Sequence, residues 1–272
     1  MRKTKTYIMG LMLIVGSLCQ AQKLDIKPYF IYHQSVSKQT EPAFYDDYTL
    51  DFHDKGDFTL ATGPEYGFVI GYTSRNHLGF ELGLGYFKSL TDTIEVPVPT
   101  PLPPTIGFGN TLLLGRAKWN YHSIVVRPLF NYAATTGKST FIGRIGPTIH
   151  YASATRNVFY MNEEIFTCTF DNRLNWGYST GLEYNYQLME KLSLAVELGF
   201  EQYKYTPDKA TVEYKKRPVP SGKKEKEEIL YVNKIIEETD YYSLPQNKRL
   251  KESILFNNIY FGIGIKYNLW EK

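Results

Sequence analysis

An all-β fold, eight antiparallel strands closed into an up-and-down transmembrane β-barrel with long extracellular loops and short periplasmic turns, is predicted by three observations. Segment after segment alternates with period two between a greasy face and a small or charged one. Short and long connections join these segments in turn. The chain is also 15% aromatic, with 23 tyrosines, yet only 43% hydrophobic, a balance that suits a lipid-facing sheet better than a soluble core.

The first residues form a secretory signal. Arg2, Lys3 and Lys5 precede the apolar run from Tyr7 to Leu18, and small and polar residues follow up to Gln22. Cleavage is expected after Ala21, giving residues 1–21 as signal peptide and 22–272 as a single barrel domain. Lipidation at Cys19 would need a small residue before it, and Leu18 stands there. Cys168 then has no partner in the mature chain, so the fold must hold without a disulfide. Beyond the signal no run of 18 apolar residues occurs, which excludes helical membrane spans. Removing the three cations of the signal from the net charge of +3 leaves 28 basic against 28 acidic residues. That balance argues against a nucleic-acid partner.

Each strand is read from its own alternation. The first, near 24–36, carries Phe30 and Tyr32 outward. The second sets Tyr66, Phe68, Ile70 and Tyr72 against Glu65, Gly67 and Gly71, and the third sets Leu78, Phe80, Leu82, Leu84 and Tyr86 against Glu81, Gly83 and Gly85. In the fourth, around 117–132, Ile124, Val126, Pro128, Phe130 and Tyr132 point out while Ser123, Arg127 and Asn131 point in. The fifth, 140–154, shows Phe141, Ile145, Pro147, Ile149 and Tyr151. The last three run over 174–186, 192–201 and 259–269, with Glu183, Glu197, Glu201 and Lys266 on their inward faces. Short turns fall near 75–77, 133–139 and 189–191, and long loops at about 37–59, 93–114, 156–173 and 207–253. With eight strands, both termini lie on the periplasmic side.

A soluble barrel with its apolar face inside is the inverse solution. Its outer surface would be the face bearing Gly83, Gly85, Gly177, Gly181, Gly262 and Gly264, which offers little to cover a sheet. Small residues suit a narrow interior, and the Tyr, Phe and Trp of the other face suit lipid and its interfaces.

With the strands placed, the chain resembles the porin-like family of small outer-membrane β-barrels, of the outer-membrane protein A type. The segments that carry the resemblance are Trp119–Tyr132, the turn and Gly-Pro strand Gly137–Tyr151, and the closing strand Ile259–Trp270. The resemblance implies residence in the outer membrane of a Gram-negative bacterium. It also implies recognition of the closing strand, through Phe261, Tyr267, Leu269 and Trp270, by the barrel-assembly machinery. Glu271 and Lys272 beyond the terminal aromatic, and the long fourth loop, depart from the pattern. No peptidoglycan-binding domain is expected after the barrel.

The inward face collects Glu65, Glu81, Glu183, Glu197 and Glu201 with Arg127, Arg144 and Lys266. An eight-stranded interior is just wide enough for side chains to fill, so a salt-bridged plug is expected, with a gated ion path as the functional alternative. His122 with Ser123, and His150 with Ser153, are the close His/Ser pairs. Both have opposite parity, so neither makes a nucleophile and base on one face, and they read as strand-surface residues. No zinc, haem or phosphate-loop spacing appears, and no cofactor is expected. Lys215-Lys216-Arg217 and Lys223–Lys226 could attract lipopolysaccharide, although 207–253 holds eleven Lys or Arg against nine Asp or Glu, a mixed-charge solvated loop. The Pro97–Pro104 run reads as a stiff spacer. The function expected is therefore a non-enzymatic outer-membrane barrel in contact with outer-membrane lipid and lipopolysaccharide, whose loops face the outside. The alternatives are a narrow diffusion channel and a lipid-modifying outer-membrane enzyme.

Overall fold

The computed structural model describes residues 23–36, 39–40, 57–58, 60–74, 76–98, 113–215, 226–232, 248–250 and 253–271. The expected signal peptide, and most of the first, second and fourth loops, lie outside these residues. Eight long strands form the barrel: β1 (Lys23–Ser35), β2 (Gly63–Thr73), β3 (Leu78–Lys88), β4 (Leu113–Thr136), β5 (Ser139–Tyr160), β6 (Glu163–Met189), β7 (Leu192–Tyr205) and β8 (Ile254–Glu271). Each pairs antiparallel with its neighbour in sequence, and β8 pairs with β1, so the ring closes and no sheet edge remains at this level. Closure matters because hydrocarbon offers no hydrogen bond to an unpaired strand edge.

The predicted parity is the observed one. Phe30, Tyr66, Phe68, Leu82, Leu84, Phe130, Ile145, Leu182, Leu198 and Ile263 are among the exposed apolar residues of a continuous outer belt, while the residues between them are buried. An exposed patch this large and contiguous is a lipid-facing surface, since soluble monomers do not carry one. Cross-strand aromatic contacts reinforce the belt, among them Phe30 with Tyr66 at 5.3 Å and Phe80 with Phe130 at 5.8 Å between ring centroids.

The turns at one end are short. His77 adopts positive φ beside Ser74, Gly137 (φ 59°) closes β4 to β5, and residues 190–191 close β6 to β7. Strand β4 runs on to Thr136, so the second turn is tighter than the expected 133–139.

The opposite end departs from expectation. Residues 156–173 are not a loop: β5 continues to Tyr160, turns over Met161 and Asn162 (φ 48° and 67°), and returns as β6 from Glu163. Two consecutive positive φ values are the mark of the twisted two-residue hairpin turn. Cys168, expected in that loop, is a buried strand residue. The expected second and fourth loops also contribute strands. Asp92–Val98 pairs with β4, Lys209–Tyr214 pairs with β6, Lys226–Val232 pairs with Lys209–Tyr214, and Lys248–Leu250 runs parallel to Lys226–Val232. Together with the upper parts of β4, β5 and β6 they form an open sheet rising from one wall of the barrel. Strand β6 changes partner on the way, pairing with β7 over Gly177–Met189 and with Lys209–Tyr214 over Phe166–Phe170. The corner between these two is held by Asp171, whose carboxylate accepts the backbone N–H of Asp208 and of Lys209 at 3.2 Å, and by Arg173, which donates to the Thr206 carbonyl at 2.9 Å.

Candidate functional site: the lumen

The inside of the barrel divides into a charged layer at the turn end and an aromatic layer at the loop end. All eight predicted lumen residues, Glu65, Glu81, Arg127, Arg144, Glu183, Glu197, Glu201 and Lys266, are buried there. They form two clusters, each centred on an arginine. Arg144 on β5 reaches Glu81 on β3 at 2.8 Å and Glu197 on β7 at 2.7 Å, and also contacts Glu183 on β6. Lys27 joins Glu197 at 3.1 Å and contacts Glu183, while Lys266 joins Asp25 at 3.1 Å. Arg127 on β4 bonds Glu201 on β7 through Nε at 2.7 Å and grips Glu65 on β2 with both terminal nitrogens, one at 2.7 Å. Tyr29 donates to Glu65 at 2.6 Å, and His33 Nε2 lies 2.9 Å from it. Charges buried in this way are tolerated because each faces an opposite charge within ion-pair distance. Gly85 makes room for the second cluster: a side chain there would run into the Glu65 carboxylate and the Tyr29 hydroxyl.

Three charged or titratable members of the network, Asp25, Lys27 and His33, were not singled out in the sequence, and a fourth, His150, was named there only as half of a His/Ser pair. The signal that finds the first three is the parity of β1, since Phe30 and Tyr32 outward place the odd positions inside. His150 is not a strand-surface residue, as its expected role had it. It is buried, stacked on Tyr203 at 3.7 Å, with Nε2 at 3.4 Å from Glu201. The expected opposite parity of His150 and Ser153 holds: β5 keeps one register against β4, in which Ser153 stands opposite the exposed His122, and Ser153 is buried where β6 bulges against it. Ser153 donates to the Phe170 carbonyl at 3.1 Å. His122 is exposed and Ser123 buried, as expected for neighbours on a strand.

The register of β4 against β5 brings Ser123 Oγ to 3.5 Å from His150 Nδ1, so Ser123, His150 and Glu201 line up. The order resembles a nucleophile, base and carboxylate, but all three residues lie beneath other side chains. Ser123 is fully buried, Glu201 is engaged by Arg127, and the loop side is covered by Tyr203, Phe256, Tyr121, Tyr205 and Trp119. Tyr203 stacks on Phe256 at 4.4 Å, Phe256 meets Tyr121 at 4.7 Å, and Trp119 stacks on Phe170 at 5.5 Å. These rings merge with the apolar face of the rising sheet, which buries Ala117, Ala154, Val158, Cys168, Ala210 and Val212. Burial pushes the Cys168 thiol up to about 12, which leaves it a protonated, unreactive core residue. Among the described residues no group of three or more His, Cys, Asp or Glu is placed to hold a metal ion. The closing-strand residues Phe261, Tyr267, Leu269 and Trp270 are all exposed on the outside of β8.

No protein-family model matches the chain, and no curated protein matches it. Solved structures do. OprG, an outer membrane protein from Pseudomonas aeruginosa, is 13% identical with a TM-score of 0.44, over 93% of this chain and 98% of that one. A major outer membrane protein from Thermus thermophilus is 12% identical with a TM-score of 0.45, over 90% and 99%. The outer membrane protease OmpT from Escherichia coli is 8% identical with a TM-score of 0.37, over 92% and 97%. At these identities the roles of individual residues rest on the chain's own geometry. On its ring of eight paired strands and its apolar outer belt, the chain has the fold of the small outer-membrane β-barrels.

Proposed function

We propose that the protein is a non-enzymatic integral component of a Gram-negative outer membrane, with a closed barrel as anchor and the rising sheet and loops as the part that meets the outside. The observation that carries this reading is the double closure of the lumen. Two arginine-centred clusters span it between β1–β4 and β5–β8, and a stacked aromatic layer covers the loop end. Moving an ion through would require breaking charge-assisted bonds in both clusters and displacing Tyr203 and Phe256. The same closure denies solvent and substrate to Ser123 and His150, which supports a non-enzymatic role. The outward aromatic and apolar residues of β8 fit a strand handed to the barrel-assembly machinery, and the belt fits contact with outer-membrane lipid and lipopolysaccharide.

The test is conductance of the purified barrel in planar bilayers. Electrical silence at both polarities is expected, and steady ohmic steps in most insertions would replace the closed anchor by a channel. Incubation with labelled phospholipid or lipid A addresses the enzyme in parallel: time-dependent acyl release that Ser123→Ala abolishes would overturn the non-enzymatic reading.

A further inference from the structure

At the loop end of the belt, β3, β4 and β5 carry Tyr86, Ile124 and Tyr151 as its outward apolar rim. The next outward positions are Lys88 and His122, which are direct register partners and both exposed. Above them, Thr91 donates to Asn120 at 2.8 Å, and the exposed Lys118 sits in register between Thr93 and Asn157. The Asn157 side-chain oxygen is buried and accepts no hydrogen bond. Lys118 lies over the Phe159 ring at 4.9 Å, a contact that fixes its ammonium against the sheet.

Among the described residues no carboxylate forms an ion pair with Lys88, His122 or Lys118; Glu164, in register with Phe159, accepts from Thr167. The Asp92 carboxylate accepts the backbone N–H of Thr93 at 2.8 Å, and Glu95 stands opposite Arg116. Elsewhere on the same rim the corresponding outward positions hold neutral amides, Gln34 on β1, Gln202 on β7 and Asn257 on β8, and Gln202 bonds Asn257. Three cationic or protonatable side chains are therefore concentrated on one sector, directly where acyl chains give way to headgroups, beside hydroxyl and amide groups suited to sugars.

We propose that this sector binds the phosphorylated sugar headgroup of an outer-leaflet glycolipid, with Lys88, His122 and Lys118 on phosphate and its acyl chains against Tyr86, Ile124 and Tyr151. The inference rests on the reading of the loop end as the outer side of the outer membrane. Phosphate favours such a site because it carries charge for several donors at once, and each cation near an anionic headgroup contributes a few-fold in affinity.

Diphosphoryl lipid A and its dephosphorylated counterpart, with the same acyl chains, are titrated into the folded barrel in neutral detergent, with bound lipid read by native mass spectrometry. The wild-type barrel should prefer the phosphorylated lipid by at least about tenfold. The triple variant Lys88→Gln, His122→Gln, Lys118→Gln should lose that preference, and Lys204→Gln, an exposed cation on β7, should keep it. Equal binding of the two lipids by the wild type, a preference that survives in the triple variant, or its loss in Lys204→Gln would each overturn the site. Heat-modifiable gel migration of every variant reports the folded barrel independently. A folded barrel without lipid preference removes this site and leaves the closed anchor standing, whereas failure of the wild-type chain to insert into bilayers removes the anchor reading itself.

Discussion

Arg127 on β4 and Glu201 on β7 meet across the full width of the lumen, Nε to Oε2 at 2.7 Å, although 74 residues separate them in the chain. The same guanidinium holds Glu65 on β2. Three strands on different sides of the barrel thus converge on one side chain, which makes Arg127 the sharpest probe of the closed interior.

Arg127→Met should be strongly destabilising, because it strands two buried carboxylates. The expected loss is about 3–5 kcal/mol, read as a lower denaturant midpoint for the barrel folded in lipid vesicles. The triple change Arg127→Met, Glu65→Gln, Glu201→Gln should recover much of it, since the orphaned charges go with their partner. A triple variant no more stable than the single one would show that the carboxylates are not what Arg127 neutralises.

Leu182 tests the belt. It is 69% exposed on the outer face of β6, and Leu182→Arg should cost about 2–4 kcal/mol in a bilayer. Folding efficiency into vesicles would fall accordingly. An arginine tolerated there without loss would mean that this face is in water.

Met161 occupies a left-handed backbone conformation in the turn from β5 to β6. Met161→Gly removes the steric conflict between Cβ and the backbone, and the folded protein should gain about 1 kcal/mol. The denaturant midpoint checks the sign, and a decrease would show that the turn adopts another geometry.

Cys168 is buried, and its thiol is held protonated well above neutral pH. Iodoacetamide at pH 8 should leave the folded protein unlabelled and modify the denatured chain completely. Rapid labelling of folded protein would place Cys168 on the surface, as in the loop that the sequence suggested.

The membrane part of the fold was legible because its alternation is strict: Leu78 to Tyr86 and Ile259 to Leu269 each name one lipid-facing row, and the charged residues between them must then face the lumen. The rising sheet was not legible, for a physical reason. Above the belt the outside is water, so the polar Thr155, Asn157, Thr167 and Thr169 occupy the more exposed face while Ala154, Val158, Cys168 and Phe170 are buried. The rule that finds greasy residues outside therefore stops at Tyr151. The bulge of β6 opposite Ser153 then shifts the phase of that strand, from odd buried positions such as Asn175 to even ones such as Cys168, and the Met161-Asn162 turn lacks the Asn-Gly or Asp-Gly pair that announces a tight hairpin. The approach of His150 to Ser123 was not legible either, because it depends on the register of β5 against β4, which a single alternating segment does not encode.

The three tryptophans supply the most direct test of the central claim, that the apolar face contacts lipid and the barrel interior with its aromatic layer does not. Trp176 is 62% exposed in the outer belt, whereas Trp119 is fully buried at the loop end. In vesicles containing phospholipid brominated along its acyl chains, a chain retaining Trp176 alone, with Phe at the other two positions, should be strongly quenched. A chain retaining Trp119 alone should keep its emission. Quenching of Trp119 as strong as that of Trp176, or none of Trp176, would contradict the inside-outside assignment on which the account rests.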